Sequence, residues 1–399
     1  MAMKKLTMIE LFAGVGGFRV GLEPHGWKTV LSNQWEPGKT KQWAFDCYAS
    51  HYPNGFNSNI DIAKVGVKDI PDHTLLVGGF PCQDYSVAAT LATSKGINGK
   101  KGVLWWEIRR IVEAKQPKYI LLENVDRLLK SPASQRGRDF GIILSCLNTL
   151  GYSVEWRVVN AADYGFVQRR RRTFIFAAKQ NQARRLYGEK NPAAIIEHDG
   201  FFARTFPVKQ DLVSDVMLQD ITIPSDLVAL TDKFKASFEN AGFCDRFKCI
   251  TIRTEPDYQG PSVLLKDILE KHVDEKYFIK DADMPKWVYM KGAKHEDRKA
   301  KNGFEYHYTE GPIPFPDPLD KPSRTMLTSE SSKNRSTHVI RDPENGRLRI
   351  LTPVECERID GFPDNWTAGM PEKMRYFCMG NALVVGLIEK MGKTLEGIV

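Results

Sequence analysis

No stretch of this chain approaches the roughly 18 consecutive apolar residues that a membrane-spanning helix needs. Its start, MAMKKLTMIELF, is basic, but Glu10 soon breaks the apolar stretch and no small-residue cleavage site follows, so no secretory leader is expected. Cysteine is scarce, odd in number (seven) and scattered, which argues against a disulfide framework and for thiols in a reducing cytoplasm. Cys244 and Cys249 sit at the long end of zinc-ligand spacing, but no second ligand pair follows, so they are read as separate thiols and no metal is expected. Internal repeats are lacking, and so is a G-x-G-x-x-G dinucleotide fingerprint. What remains is a folded chain, 42% hydrophobic and 27% charged, whose 399 residues favour two domains. A net charge of +8 fits a polyanionic partner such as nucleic acid.

Up to about residue 180, strand-like and helix-like segments alternate. Strands are expected at 6–12, 27–35, 73–80, 117–125, 152–161 and 172–178, with helices to about His25 and near 38–50, 102–116 and 138–150. Near-continuous apolar strands separated by helices predict an α/β fold, a doubly wound and mostly parallel sheet covered on both faces. Ligands bind at the carboxyl ends of such strands. From 181 to about 310 the signals are short and mixed. KGAKHEDRKAKNG (291–303) reads as a charged loop, and GPIPFPDPLDKP (311–322) as a semi-rigid connector. A last amphipathic helix starts near Ala382.

Several stretches fall where a site would form. AGVGGF (13–18) follows the first strand, and its glycines permit a tight turn. Gln34, Trp35 and Glu36 end the second strand, where an acid or amide meets a ribose and an indole covers an adenine. Asp61 and Ile62 follow. GGFPCQDYS (78–86) ends the third apolar strand and exposes one thiol, Cys82. ENV (123–125) brings a carboxylate to the same edge, suited to proton transfer. In QRRRR (168–172), alternation on an extended backbone sends Gln168, Arg170 and Arg172 one way, and Arg169 and Arg171 the other. Each feature alone has an ordinary reading: a tight turn, an inert thiol, a strand-end acid, a solvated basic loop.

Their order is far more specific. ELFAGVGGF, GFPCQDYS, ENV, QRRRR, RILTPVECERIDGFPD and MGNALVV, in that sequence, resemble the motif set of the DNA cytosine-5 methyltransferases. The resemblance covers about the first 180 and the last 75 residues. It implies a class I S-adenosylmethionine-dependent methyltransferase fold with a catalytic and cofactor-binding domain at 1–180. A smaller variable target recognition domain with a hinge is implied at 181–370, and a C-terminal helix returning to the catalytic domain at 371–399.

The implied reaction is methylation of cytosine C5 in a specific double-stranded DNA sequence, with the base flipped out. Cys82 would add to C6, Glu123 would hold the N3 edge, Arg172 would bond O2 and Arg170 would support it. For S-adenosylmethionine the resemblance implies Phe12, Gly14, Gly16, Gln34, Trp35, Asp61, Ile62, Leu104 and Asn381. For the base and its strand it implies Phe80, Pro81, Gln83, Ser86, Asn124, Gln168 and Thr325. Arg324, Thr325, Lys333, Asn334, Arg335 and Ser336 are candidates for the DNA-facing edge. Two positions depart from the pattern: Gln34 stands where many relatives carry a ribose-binding glutamate, with Glu36 as the substitute, and Asp84 is unusual so close to the thiol. A monomeric, cytoplasmic, nucleoid-associated enzyme is expected, with a cognate restriction endonuclease as functional companion and no membrane partner. The alternatives are a transfer RNA methyltransferase of the same family, a catalytically silent DNA-binding relative, and, on the glycine turn alone, a nicotinamide-dependent dehydrogenase.

Overall fold

The computed structural model describes residues 6–80, 104–210, 219–299 and 303–399. The chain divides into two compact units, one of residues 1–164, 171–260 and 385–399, the other of 165–170 and 261–384. The first unit therefore runs past the boundary expected at 180 and takes in residues to 260.

A ten-stranded sheet organises the first unit. Its strands are β1 (Thr7–Leu11), β2 (Lys28–Asn33), β3 (Asn57–Ser58), β4 (Leu75–Gly79), β5 (Tyr119–Val125), β6 (Tyr152–Asn160), β7 (Arg171–Lys179), β8 (Gln219–Thr222), β9 (Ala241–Asp245) and β10 (Lys248–Ile252). They lie in the order β3-β2-β1-β4-β5-β7-β6-β9-β10-β8. From β3 to β5 every pairing is parallel. The strands TMIEL, LLVGG and YILL are almost wholly buried on both faces, as their largely apolar sequences demand. The last two expected strands do not extend this parallel run: β7 enters antiparallel between β5 and β6. Beyond them β9, β10 and β8 continue the sheet antiparallel. They had not been expected, because they are short and lie in mixed-composition sequence. In β9 and β10, Cys244 and Cys249 are register partners and form a disulfide, which corrects their reading as separate thiols.

Helices α1 (Gly17–Leu22), α2 (Trp43–His51), α3 (Leu104–Lys115), α4 (Arg138–Thr149) and α5 (Gln180–Tyr187) accompany the sheet. The second unit contains α6 (Met284–Lys291), two antiparallel ribbons, β11 (Lys294–Lys299) with β12 (Glu305–Glu310) and β13 (Val339–Arg341) with β14 (Leu348–Ile350), and helices α7 (Pro353–Asp360) and α8 (Glu372–Asn381). The last helix, α9 (Val385–Glu396), belongs to the first unit and packs on α1. A Cβ on Gly21 would stand 2.7 Å from Cβ of Ile388, so only glycine allows that approach.

In RILTPVE the sequence writes a helix start. Thr352 caps α7 by accepting from the Glu355 N–H, Pro353 takes the first turn, and Glu355 accepts from the Thr352 N–H. The same Glu355 receives two bonds from the fully buried Arg349 guanidinium, which also pairs with Asp342 at 2.6 Å. Removing Arg349 would leave two buried carboxylates without their counter-charge.

Glu10 is the one charged residue in β1 and is fully buried. It accepts from the Phe18 N–H in the first turn of α1 at 3.2 Å and from the Tyr48 hydroxyl at 2.9 Å. Burial pushes its carboxyl up to about 7, although the Tyr48 bond and the Arg19 charge favour the anion. The folded chain thus keeps a proton that the unfolded chain releases near its ordinary carboxyl value, and stability falls as pH rises through that interval. In Glu10→Gln this fall should vanish, so thermal denaturation at pH 5 and pH 8 should show the variant gaining on the wild type by on the order of 3 kcal/mol. An unchanged gap at the two pH values would remove Glu10 as the titrating group.

Candidate active site

Backbone register brings the motif residues to one edge of the sheet. Leu11 pairs with Asn33 and with Gly78, Asn33 with Ser58, and Gly79 with Glu123. The segments after β1, β2, β3 and β4 and the end of β5 therefore lie side by side. Because β7 runs the other way, its beginning meets the same edge, with Arg172 opposite Val125.

After β1 the chain turns sharply. Phe12, Gly14 and Gly16 all have positive φ, at 55°, 56° and 97°. A Cβ on Gly14 would meet nothing within 4 Å, so the turn opens on free space. Phe12 holds a left-handed conformation that costs a non-glycine residue of order 1 kcal/mol or more. The Ala13 N–H donates to the Asn33 carbonyl, and the Gly14 N–H donates to Gln34 Oε1 at 2.8 Å. Gln34 thus closes the turn with its carbonyl, a bond a carboxylate would also make. Trp35 is 37% exposed, and the neighbouring Glu36 carboxyl is partly buried and raised by that burial. Asn33 Nδ2 donates to the Ile60 carbonyl, Asp61 caps the following turn through the Ala63 N–H, and the Ile62 carbonyl receives Arg110. Leu104 opens α3, half-buried against the core.

S-adenosylmethionine presents an amino acid, a sulfonium, a ribose diol and an adenine. An open backbone turn, an amide and a carboxyl at the next strand end, and an exposed indole beside them match those parts in kind. The residues present therefore fit the group. Asn381 ends α8, exposed, in the second unit.

Cys82, Pro81, Gln83 and Ser86 lie outside the described residues. The strand before them is held firmly. Asn124, buried at the end of β5, donates from Nδ2 to the Phe80 carbonyl at 2.7 Å and accepts from the Val125 N–H. Beside it, Arg172 Nε stands 2.8 Å from Glu123 Oε1, with both side chains more than four-fifths buried. A Cβ on Gly79 would come within 3.1 Å of Glu123 Oε2, so glycine there keeps the second carboxylate oxygen clear. The pair joins an acceptor and a donor along one line, in a partly dry setting where charge-assisted bonds are strong.

QRRRR alternates as its spacing predicts. Gln168 and Arg170 are buried, Arg169 and Arg171 exposed, and Arg172 is mostly buried. Gln168 and Arg170 do not open to solvent, however, and their polar groups serve the second unit. Gln168 donates to Asp360 Oδ1 at 2.7 Å and accepts from the Met326 N–H at 3.0 Å. Arg170 donates to the Met326 and Gly380 carbonyls at 3.2 and 3.1 Å. The Thr325 hydroxyl donates to the Arg169 carbonyl. Both main-chain polar groups of Met326 are thus clamped by the motif, an arrangement that alternation alone did not reveal.

The expected DNA-facing residues of this region are largely committed to the fold. Arg324 pairs bidentately with buried Asp317 and donates to the Ser336 and Thr337 carbonyls. Arg335 pairs with Glu310 at 2.9 Å and donates to the Met290 and Gly292 carbonyls. The Asn334 carboxamide accepts from the Ser336 and Thr337 N–H groups and donates to the Ser329 carbonyl. Lys333 reaches Asp283. Glu10 and Asp360 escaped the sequence reading, although a lone acid inside the apolar strand TMIELF was a visible signal for the first.

Residues 6–397 match the family model for C-5 cytosine-specific DNA methylase. The chain is 51% identical to Type II methyltransferase M.Sau3AI of Staphylococcus aureus, over 99% of this chain and 97% of that one. Against Type II methyltransferase M.SsoII of Shigella sonnei it is 28% identical, over 98% and 81%. Among solved structures, a DNMT2 variant of Spodoptera frugiperda superposes with a TM-score of 0.63 at 15% identity, covering 98% of this chain and 99% of that one. The S. pombe Dnmt2 methyltransferase gives 0.59 at 17%, covering 98% and 99%. These two likenesses concern the fold alone. With a matching family model across almost its whole length and a relative 51% identical over 99% of it, the chain belongs to the C-5 cytosine-specific DNA methylase family.

Proposed function

We propose that this chain methylates carbon 5 of a flipped cytosine in a specific duplex sequence, with Cys82 as nucleophile and the Glu123–Arg172 pair holding the base edge. The observation that carries the residue roles is the 2.8 Å contact between Glu123 and Arg172 at the strand ends that flank GFPC. Cytosine C5 is a weak nucleophile. Sulfur adding at C6 makes C5 enamine-like, splitting one hard step into two easier ones. Glu123 Oε1 is occupied by Arg172, which leaves Oε2 to accept from the exocyclic amine or to share a proton with N3 as sulfur adds. Arg172 keeps further guanidinium N–H groups for O2. S-adenosylmethionine, which enzymes of this family use, supplies an electrophilic methyl group when bound. Loss of the C5 proton then expels the Cys82 sulfur and restores the aromatic ring.

Phe12, Gly14, Gly16, Gln34, Trp35, Asp61, Ile62, Leu104 and Asn381 are the residues we assign to the cofactor, with Glu36 positioned to take the ribose diol that Gln34, bonded to Gly14, leaves open. Asn124 acts on the nucleophile's segment by fixing the Phe80 carbonyl, whereas Gln168 and Arg170 act within the second unit by holding Met326. The second unit reads the DNA sequence. Likeness to a type II methyltransferase over the whole chain favours DNA over transfer RNA, and the reading extends to a cytoplasmic, monomeric enzyme with a companion endonuclease. Among the described residues no helix is long and apolar enough to cross a membrane.

Duplex DNA carrying 5-fluorocytosine cannot lose its C5 substituent as a cation, so the wild type should form an adduct that survives denaturation. Cys82→Ser should give none and no methyl transfer, while its DNA binding stays within a few-fold; turnover by that variant would end the covalent scheme. Glu123→Gln should slow transfer by on the order of a hundredfold or more with cofactor affinity unchanged in calorimetry. A near-normal single-turnover rate would take Glu123 out of the proton role. Affinity for DNA should drop steeply between 50 and 200 mM salt, as phosphate contacts release counterions.

A further inference from the structure

KGAKHEDRKAKNG is not a loop over its middle. Residues 294–299 form β11, which pairs with β12 in full register: His295 with Thr309, Asp297 with His307, Lys299 with Glu305. Among the described residues this ribbon pairs with nothing else. An isolated two-stranded ribbon is marginal unless something fixes it. Its root supplies that. Glu310 is bound by Lys294 at 3.1 Å and by Arg335 at 2.9 Å, and Arg335 reaches the Met290 and Gly292 carbonyls. Buried Lys291 in turn donates to the Arg335 carbonyl.

The two faces differ. One carries Lys294, Glu296 and Arg298, tied to Tyr289, to Glu310 and, through Arg298 stacked 3.6 Å over the ring, to Tyr308. The other carries His295, Asp297, Lys299, Glu305, His307 and Thr309, all exposed. Each acid of the ribbon already has a partner on it: Glu296 has Arg298, Asp297 has His307, Glu305 has Lys299, and Glu310 has Lys294. Lysine or arginine offsets Glu296, Glu305 and Glu310, while Asp297 is hydrogen-bonded to the His307 ring. The ribbon does not concentrate the cations of a phosphate anchor. It instead presents donors and acceptors at alternate positions on a rigid root.

We propose that this outer face reads base edges in the major groove of the target duplex, with Asp297, Lys299 and His307 as specificity-determining side chains. The inference rests on the DNA reading given above. A major groove about 12 Å wide admits a two-stranded ribbon. A carboxylate there accepts from cytosine N4, an ammonium donates to guanine O6 and N7, and an imidazole meets a purine N7. On binding, the cross-strand pairs would give up these partners for neutral base edges, each held by a charge-assisted hydrogen bond.

The test uses the full-length enzyme and its Asp297→Ala and His307→Ala variants. Bisulfite sequencing of plasmid DNA methylated by the wild type first defines the recognition sequence. If the wild type methylates no DNA cytosine, the parent reading fails, and this one with it. Given a defined site, each variant should lose about ten- to hundred-fold in the ratio of cognate to one-base-altered affinity, and should methylate altered sites. Melting temperature and the slope of affinity against salt should stay as in the wild type. An unchanged ratio in both variants would overturn the proposal, and so would a weakening equal on all sequences with a shallower salt slope, the mark of a phosphate contact.

Discussion

The reversed strand β7 is the constraint on which the active-site edge depends. Were it parallel to β5, its beginning would lie at the opposite edge of the sheet, far from Glu123. Running antiparallel, it puts Arg172 opposite Val125, and the guanidinium closes on the Glu123 carboxylate. The neighbouring residue Asn124 points its amide at Phe80, so three consecutive positions of ENV serve three purposes at the edge. Glycine at 79 is what leaves the carboxylate room. Removing any one of these would leave the others in place but aimed at nothing.

Much of this was legible in the sequence because burial on both faces leaves a plain mark. TMIEL, LLVGG and YILLENV are each largely apolar, and the carboxyl end of each is where the edge forms. The sheet's outer antiparallel strands were not legible. AGFCD and KCITI are five residues each, and KCITI is exposed at one end, so the period-two signal is too short to stand out. KHEDRK fails differently, for it contains no apolar residue at all. Its register is written in cross-strand charge pairs, which require the partner strand to be known before they can be read.

Arg324 and Arg335 show the same limit from the other side. Basic residues in a polar, turn-rich stretch of sequence look like phosphate ligands. The fold uses them to hold main-chain carbonyls, which no composition argument anticipates. Planar guanidinium groups suit that task because several N–H groups fan out in one plane. Lys291 does similar work with a compact ammonium, and burial and the nearby Arg324 charge pull it down to about 8.

The clamp on Met326 separates geometry from sequence. Gln168 and Arg170 bind only its N–H and carbonyl, and Arg170 takes the Gly380 carbonyl as well. Glycine at 380 is needed because a Cβ there would strike the backbone at Leu327 and Thr328. None of these contacts constrains which side chains the 325–338 segment displays. Two residues further along the chain, Arg172 serves the ion pair at the strand ends. A five-residue motif with period-two alternation thus fixes a backbone in one unit and places a guanidinium in the other. A substitution in the motif should therefore disturb every substrate alike, whereas one on the exposed ribbon should disturb only the choice among them.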